Sequence, residues 1–314
     1  MKKLLAVLLA VAMMATLLVS CGGDTETSSG TSGETGENIM VYLITMDQMD
    51  QHWVNVDAGC QKAVEELGNI TYKWVAPDVK DDAKQIECVN NAVADGADVI
   101  LVAANGPTAI TSALQEAVDA GVKIIYVDSA ADLEAEQTLA TDNKAAGKTA
   151  GEEMIKALKE KGVTSGSIGI INVNAATAST VAREEGFRSA FEGTDYTILE
   201  TQYGEGAADK SKEIASNYIT QGVVGIFGAN EGSTAGAGNA IKEDGNKVVG
   251  VGFDKSDAII TLIKDGALLC TMAQNPDVMG YEGMKSAVKV MNGETITEKN
   301  VDTGVTVLNK DNVD

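Results

Sequence analysis

The sequence predicts an α/β protein built from two doubly wound parallel-sheet lobes. Short β-branched runs alternate with segments of helical periodicity, and strands that are apolar throughout are typical of parallel sheets covered on both faces. Two pairs of similar segments also repeat at nearly one offset. "GVKIIYVDSAAD" contains Lys123 and "GNKVVGVGFDKSD" contains Lys247, whereas "DGADVILVAAN" ends at Asn105 and "TQGVVGIFGAN" at Asn230. A chain of 314 residues is longer than a domain with a single hydrophobic core usually is, so the repeats predict two duplicated lobes.

The N-terminal segment predicts an export signal over residues 1–20. Lys2 and Lys3 precede an apolar stretch from Leu4 to Val19, which is the pattern of a signal peptide. The following "LVSC" resembles the lipobox of bacterial lipoproteins, which implies lipid attachment at Cys21 and a membrane tether. An ordinary signal peptide followed by an incidental cysteine is the alternative. Residues 21–38 are rich in Gly, Ser, Thr and Glu, so we expect a flexible linker that holds an extracytoplasmic body near a membrane.

The first half of the body reads as alternating strands and helices. "IMVYLIT" (residues 39–45) predicts a strand, and "WVNVDAGCQKAVEELG" predicts a helix that ends at Gly68. Further strands are predicted at "ITYKWVA", "DVILVAA" and "VKIIYVD", with helices near residues 81–95 and 107–120. In the second of these helices, Ile110, Leu114, Ala117 and Val118 form one apolar stripe.

The second half repeats this scheme. Strands are predicted at "GSIGIINV", "YTILETQ", "VVGIFGA" and "KVVGVGFD", and helices near residues 179–192 and 210–221, with a glycine-rich helix from Glu231. The alternation matches that of the first half, as duplication requires.

Charge and cysteine content exclude several classes of function. The formal charge of −22 opposes nucleic-acid binding, which needs a basic face, and its simplest meaning is solubility. Cys60, Cys88 and Cys270 have neither CxxC nor metal-ligand spacing. Cys60 and Cys88 fall on consecutive crossover helices, which cover opposite sheet faces, so we predict buried free thiols and no metal site.

Enzyme motifs are mostly missing from the sequence. It contains no GxSxG, HExxH or CxxC, and "DNKAAGKT" (residues 142–149) has Asp142 where a P-loop needs glycine. "GVGFDK" and "GEGAAD" lack the third glycine of a dinucleotide fingerprint. His52 is the single histidine and has no adjacent Ser or Cys. We therefore predict no catalytic residues and no cofactor.

Polar residues follow the predicted strands. Ligands of doubly wound sheets bind at the carboxyl ends of the strands, where the sequence places a set of carboxylates, amides, one guanidinium and one indole: Asp50, His52, Trp53, Asn105, Asp128, Arg183, Asn230, Asp254 and Gln274. Such groups suit a polyol, whose hydroxyls donate and accept while its CH face packs on an aromatic ring. Asp128 and Asp254 could converge on one ligand from two lobes, or each could cap a helix or close an Asx turn.

From about residue 39 to 313 the chain resembles the bacterial periplasmic sugar-binding proteins of the ribose and galactose type, the solute receptors of ABC importers. The resemblance is carried, in the order of the family, by these segments: "DQHWVNVDAGCQKAVEELG", "DGADVILVAAN", "GVKIIYVDS", "ATDNKAAGKTAGE", "AREEGF", "GIFGANE", "VVGVGFD" and "TMAQNPDVMG". It implies the type I fold of periplasmic binding proteins, with a three-strand hinge near residues 141–143, 274–276 and 302–303. The N-terminal lobe would comprise residues 39–141 and 275–302, and the C-terminal lobe residues 142–274 and 303–314.

The resemblance also implies sugar contacts from Asp50, His52, Trp53 and Asp128 in the first lobe and from Arg183, Asn230, Asp254 and Gln274 in the second. Three departures argue against ribose itself. Gln51, His52 and Trp53 replace a Pro and paired Phe, Ser129 stands where ribose receptors often have Arg, and no aromatic residue stands near Ala207 and Ala208.

The expected function is a monomeric receptor that closes on a monosaccharide or similar polyol and delivers it to the transmembrane subunits of an ABC permease. The alternative is a receptor that presents the ligand to a membrane sensor kinase or chemoreceptor. A sugar-responsive transcription regulator is rejected, because the chain has an export signal and no helix-turn-helix segment. An extracellular enzyme that uses Asp128 and Asp254 as acid and base is the remaining alternative.

Overall fold

The computed structural model describes residues 38–313. The predicted signal peptide, the lipid-attachment residue Cys21 and nearly all of the predicted linker lie outside the described residues. The elements, in chain order, are β1 (Ile39–Ile44), α1 (Gln51–Leu67), β2 (Ile70–Val75), α2 (Asp82–Ala94), β3 (Val99–Val102), α3 (Pro107–Asp119), β4 (Lys123–Val127), β5 (Gln137–Ala140), α4 (Asn143–Glu160), β6 (Gly166–Asn172), α5 (Ala178–Ala190), β7 (Tyr196–Ile198), β8 (Gln202–Tyr203), α6 (Ala208–Thr220), β9 (Gly225–Gly228), α7 (Glu231–Glu243), β10 (Val249–Phe253), α8 (Asp257–Lys264), β11 (Cys270–Gln274), α9 (Pro276–Met291), β12 (Asn300–Asp302) and β13 (Val305–Asn309).

These elements build two sheets with matching strand orders. The first sheet runs β12-β5-β4-β3-β1-β2, and the second runs β13-β11-β10-β9-β6-β7. Each therefore contains the doubly wound order in which the second strand lies outside the first. All pairings in the first sheet are parallel, whereas β13 pairs antiparallel with β11 at the edge of the second. The two-lobe α/β fold predicted from the sequence is confirmed, with β13 as an antiparallel addition.

Apolar burial explains why the main elements form where the sequence predicts them. Every residue of β3 is buried, as expected for a strand covered on both faces. Helix α3 begins with Pro107 at its first turn and buries Ile110, Leu114 and Ala117. Val118, the fourth residue of the predicted stripe, is 39% exposed.

Two local predictions differ from the structure. The single strand predicted over residues 196–202 is two short strands, β7 and β8, of which β8 pairs with β6. Within the described residues the cysteines are free thiols, and Cys60 and Cys88 belong to separate apolar clusters. Cys60 and Cys270 are buried as predicted, but Cys88 is only half-buried.

Each lobe contains a helix pair that approaches closely at glycines. In the second lobe α4 packs on α5, and a Cβ atom at Gly147 would lie 2.0 Å from the carbonyl oxygen of Arg183. In the first lobe α1 packs on α9, and a Cβ atom at Gly59 would lie 2.0 Å from the carbonyl oxygen of Asp277. Both lobes thus have a helix pair whose close approach requires a glycine, which supports the duplication inferred from the sequence.

The chain passes between the two sheets three times, after β5, after β11 and between β12 and β13. Hydrogen bonds connect these crossing segments. Thr141 Oγ1 donates to Gln274 Oε1 at 3.0 Å, and Asn275 Nδ2 donates to the carbonyl oxygen of Thr303 at 2.8 Å. No helix between residues 38 and 313 is both long and apolar enough to cross a membrane.

Candidate functional site

The carboxyl ends of the two sheets face each other around a small enclosed cavity of about 20 Å³. Its lining comes from both lobes and comprises Met46, Asp50, His52, Trp53, Lys80, Asp128, Val173, Thr177, Ser179, Thr180, Arg183, Asn230, Asp254 and Gln274. All residues predicted to bind a ligand are in this set except Asn105. The side chain of Asn105 bonds to Asp82 instead, while its carbonyl oxygen accepts from Thr177 Oγ1 at 2.7 Å. The structure thus places Asn105 beside the cavity.

Asp128 and Asp254 occupy matching positions at the ends of β4 and β10. Both have a left-handed backbone, with φ of 66° and 75°, which is unfavourable for a residue with a side chain. Ser256 caps α8, so Asp254 does not, and the carboxylate of Asp254 accepts from Gln274 Nε2 at 2.5 Å. Strained backbone is often retained where it orients a functional group. Here it directs two carboxylates into one cavity from opposite lobes.

Arg183 of α5 is fixed by contacts on three sides. Its Nε donates to Asn143 Oδ1 at 2.7 Å and its Nη1 donates to the carbonyl oxygen of Ala229 at 3.0 Å. The guanidinium lies over the Phe253 ring, 4.3 Å from its centroid. Its remaining nitrogen, Nη2, is 3.6 Å from Asp128 Oδ2 and has no hydrogen-bond partner among the described residues. One donor of a rigid group is therefore left for a ligand.

His52 stands between the two matched carboxylates. Its Nε2 is 3.1 Å from Asp128 Oδ2 and its Nδ1 is 3.7 Å from Asp254 Oδ1, so the ring connects the lobes. Burial by itself lowers the pKa of His52, but the neighbouring Asp128 and Asp254 outweigh it and raise that pKa. Burial likewise opposes ionisation of Asp128, yet His52 and Arg183 lower the pKa of Asp128 to about 2. Both members of the His52–Asp128 pair are thus favoured in their charged forms.

Lys80 holds the loop that follows β1, and sequence reasoning missed it. Lys80 is buried and ion-pairs with Asp47 and, at 3.0 Å, with Asp50. Asp50 is the N-cap residue of α1 but makes no side-chain capping bond, because its carboxylate faces Lys80. Lys80 follows β2 on the same sheet edge, so the rule that ligands bind at strand ends could have identified it.

Glu231 of the second lobe contacts the first turn of α1 in the first lobe. Its Oε2 accepts from the backbone N–H of His52 at 3.1 Å, at a helix terminus that favours a negative charge. Burial, and then the charges of Asp50 and Asp254, raise the pKa of Glu231 to about 7. From the sequence, Glu231 was predicted only as the start of a helix.

The remaining contacts across the cavity are also polar. Ser129 Oγ donates to Ser179 Oγ at 2.6 Å, which joins the end of β4 to the first turn of α5. Thr177, which precedes α5, and Ser179 and Thr180, in the first turn of α5, also line the cavity, although only Arg183 was predicted from this segment. A polar seam is typical of domains that move relative to each other.

Several buried donors in the lining have no partner within the described residues, namely Trp53 Nε1, Arg183 Nη2 and Asn230 Nδ2. Asn230 Oδ1 accepts hydrogen bonds from the backbone N–H and the hydroxyl of Ser233 at the N-terminus of α7, so only the amide nitrogen of Asn230 is free to bond a ligand. Buried polar groups normally have partners, so such groups indicate a place for a ligand. No group of three or more His, Cys, Asp or Glu residues between residues 38 and 313 could hold a metal ion.

Comparison with known proteins gives a family and several similar structures. A family described as "Periplasmic binding protein domain" matches residues 41–295. A ribose import binding protein of Haemophilus influenzae is 29% identical over 274 residues, which covers 85% of this chain and 90% of that protein. An ABC transporter solute-binding protein from Agrobacterium vitis with bound D-fucose is 31% identical, with a TM-score of 0.83 over 88% of this chain and 97% of that chain. One from Agrobacterium radiobacter in complex with D-arabinose is 30% identical, with a TM-score of 0.84 over 88% and 96%.

Proposed function

This chain belongs to the periplasmic binding protein family, and from that premise we propose that it is an extracytoplasmic receptor for a monosaccharide or similar polyol. The ligand binds between the lobes and is delivered to the transmembrane subunits of an ABC permease. Solute-binding proteins that are about 30% identical to this chain hold D-fucose and D-arabinose. No observation favours presentation to a sensor kinase over import.

One observation carries the proposal: two matched carboxylates and one fixed guanidinium meet in a cavity lined by both lobes. Sugar hydroxyls can donate to Asp128, Asp254 and Asp50 and accept from Arg183 and Asn230. Each hydrogen bond to a charged group contributes about 1.5–3 kcal/mol. Trp53 supplies an aromatic surface beside these groups, against which the CH face of a sugar ring can pack.

Binding requires the lobes to separate and close again. The cavity of about 20 Å³ is far smaller than a sugar ring, because His52 lies 3.7 Å from Asp254 and Arg183 lies 3.6 Å from Asp128 of the opposite lobe. We assign the moving bodies to residues 39–141 with 275–302 and to residues 142–274 with 303–314. A ligand that contacts both walls favours the closed arrangement, and a permease can recognise that shape.

The hinge is connected to the binding groups through Gln274. Gln274 donates to Asp254 and accepts from Thr141, which follows β5 at another crossing. A sugar that binds Asp254 therefore affects Gln274 and, through it, Thr141, both of which lie at crossings between the lobes. We propose Gln274 both as a ligand contact and as a positioning residue for Asp254.

The remainder of the proposal concerns the segment before the body. Cleavage after residue 20 and lipid attachment at Cys21 would leave residues 22–38 as a tether to the membrane. We expect a monomer that binds one ligand and does not alter it chemically. Palmitate labelling of the full chain tests the anchor, because a Cys21→Ser variant should lose the label.

The experiment for the sugar site is a thermal-shift and calorimetry panel of pentoses, hexoses, hexitols and autoinducer-2, preceded by native mass spectrometry of protein purified without added sugar. We expect one neutral ligand at a stoichiometry of one, and an affinity about 10–100-fold weaker in Asp254→Asn. Asp265→Asn, at the exposed C-terminal end of α8 where Asp265 ion-pairs with Lys242, is the matched control and should bind as wild type does. Wild-type protein that responds to none of the panel and copurifies with no polyol would contradict the proposal.

A further inference from the structure

A second, much larger space lies next to the enclosed cavity. It is an open groove of about 740 Å³ between the start of α1 and α9 on one side and α8, the end of β11 and β13 on the other. We call it the hinge-side groove, and its lining is Gln51, His52, Asn55, Ala58, Asp254, Lys255, Ser256, Asp257, Ile260, Ala273, Gln274, Asn275, Pro276, Asp277, Thr306 and Leu308. A volume of this size lies in the range of ordinary small-molecule pockets.

The cavity and the hinge-side groove share a wall made of three residues. His52, Asp254 and Gln274 line both spaces. The His52 ring contacts Asp128 on the cavity side through Nε2 and approaches Asp254 through Nδ1. Rotation of this one side chain, or the lobe separation that binding requires, joins the two spaces. A ligand seated between Asp128 and Asp254 therefore has room to continue past His52.

The chemistry of the hinge-side groove fits an uncharged hydroxylated group. Amide and hydroxyl side chains such as Asn55, Asn275 and Thr306 can donate and accept, while Ile260 and Leu308 offer aliphatic surface. The cations in the lining are Lys255 and His52, of which His52 is paired with Asp128. Asp254, Asp257 and Asp277 are carboxylates, so no cationic cluster selects an anion. The polar side chains can bond the hydroxyls of a sugar ring, and the aliphatic side chains can pack against its CH groups.

We propose that the hinge-side groove is a second subsite, and that the ligand of this chain is a glycoside or disaccharide. One ring is held in the cavity by Asp128, Asp254 and Arg183, and the glycosidic substituent passes His52 into the groove. This inference rests on the proposed function, because it assigns the first ring to the sugar site.

The test compares each sugar with its own glycoside by calorimetry on the wild-type protein. The probes are D-galactose with methyl β-D-galactopyranoside, lactose and melibiose, D-glucose with maltose and cellobiose, and D-arabinose and D-ribose with their methyl glycosides. We expect at least one glycoside to bind about tenfold more tightly than its free sugar. Two variants then fill the groove from opposite walls: Thr306→Trp on the exposed edge strand β13 and Ala58→Trp on the exposed face of α1.

Each groove variant should weaken the glycoside about tenfold and leave the free sugar within about twofold of its wild-type affinity. Thr197→Trp, at an exposed position of β7 on the opposite edge of the same sheet, is the matched control and should change neither. Ala58→Trp decides the matter if Thr306→Trp does not fold. Free sugars that bind while every glycoside binds more weakly would overturn this inference alone. The absence of binding by all of these probes would overturn this inference, and the proposed function falls with it only if the wild-type protein also responds to none of the wider panel and copurifies with no polyol.

Discussion

The two lobes share a backbone plan but build their halves of the site from different side chains. Both have the same strand order and a left-handed aspartate at the corresponding strand end. All four phenylalanines of the chain, however, lie in the second lobe, whereas both tryptophans and the single histidine lie in the first. Phe187 stacks on Phe227 with centroids 4.3 Å apart, and Phe253 of the same cluster lies under Arg183.

This difference separates two tasks. The second lobe fixes Arg183, a proposed binding group, by packing and hydrogen bonds, because the Phe253 ring, Asn143 Oδ1 and the carbonyl oxygen of Ala229 hold its guanidinium. The first lobe places its groups by charge, through Lys80 with Asp47 and Asp50 and through His52 with Asp128. We infer that the second lobe provides a rigid template and that the first lobe adjusts to the ligand. Four predictions test this comparison.

Arg183→Ala should have the largest effect, because it removes the rigid half of the site. The ligand loses a hydrogen bond to a charged group, which is worth about 1.5–3 kcal/mol, and we expect sugar affinity to fall by about 100-fold by calorimetry. Arg188→Ala is the control, since Arg188 lies on the same helix in a partly exposed ion pair with Glu184. An Arg183→Ala protein that binds sugar within about threefold of wild type would contradict the template role.

Gly147→Ala and Gly59→Ala compare the close helix pairs of the two lobes. A Cβ atom at either site meets a carbonyl oxygen at 2.0 Å, and overpacking of this kind costs about 1–3 kcal/mol. Both unfolding temperatures should fall. Only Gly147→Ala should also weaken sugar binding, by about threefold or more, because the oxygen it displaces belongs to Arg183. Ser216→Ala on the exposed face of α6 controls for a helix-surface change, and equal sugar affinity in the two glycine variants would contradict the prediction.

Asp128 and Asp254 both have a left-handed backbone. Replacing each of them by Gly and by Ala tests whether the two lobes carry the same backbone strain at this position. At φ of 66° and 75° a Cβ atom is unfavourable, so the Gly variant should be more stable than the Ala variant by about 1 kcal/mol at both positions. Urea denaturation measures the difference. If Ala equals Gly at one position only, the lobes differ in backbone strain as well as in side chains.

Glu231→Gln should have the smallest effect, and it depends on pH. The ordinary pKa of this carboxyl is 4.5, and in the folded protein it is raised to about 7. Ionisation of Glu231 therefore lowers stability as pH rises from about 4.5 to 7, and the loss is complete above pH 7. Glutamine keeps an acceptor for the His52 N–H but removes the charge. We expect the variant to unfold about 3 °C higher than wild type at pH 8, and at the same temperature at pH 4.5.

Glu243→Gln, at the exposed far end of α7, is the control for Glu231→Gln and should change the unfolding temperature by less than about 1 °C at either pH. A Glu231→Gln protein that gains as much stability at pH 4.5 as at pH 8 would show that the charge of Glu231 is not responsible.

The sequence was sufficient for the fold because strand burial and helical stripes are local. Burial can be predicted from the residue pattern of a short segment alone, as for Val99–Val102 and for the stripe of Ile110, Leu114 and Ala117. The split of β7 and β8 and the antiparallel direction of β13 depend on pairing with distant strands, which periodicity does not encode. The strand-end rule likewise found most of the cavity, because it follows from topology alone.

The rule applies to Lys80 and Glu231 as well, since each follows a strand, but the partner through which each acts lies far away in sequence. Lys80 reaches Asp50 across 30 residues, and Glu231 reaches His52 across 179 residues and from the other lobe. It also included Asn105, whose side chain turns to Asp82. Which polar groups at a strand end face the cavity is decided by tertiary packing and charge.

The unequal placement of the tryptophans makes the molecule its own optical reporter. Trp53 is 4% exposed beside the cavity, whereas Trp74 donates its indole hydrogen to Thr45 away from it. A Trp74→Phe protein has a single indole left, that of Trp53 beside the cavity. Its emission should shift to the red when solvent enters between the lobes, so stopped-flow fluorescence would follow opening and closing without any attached dye.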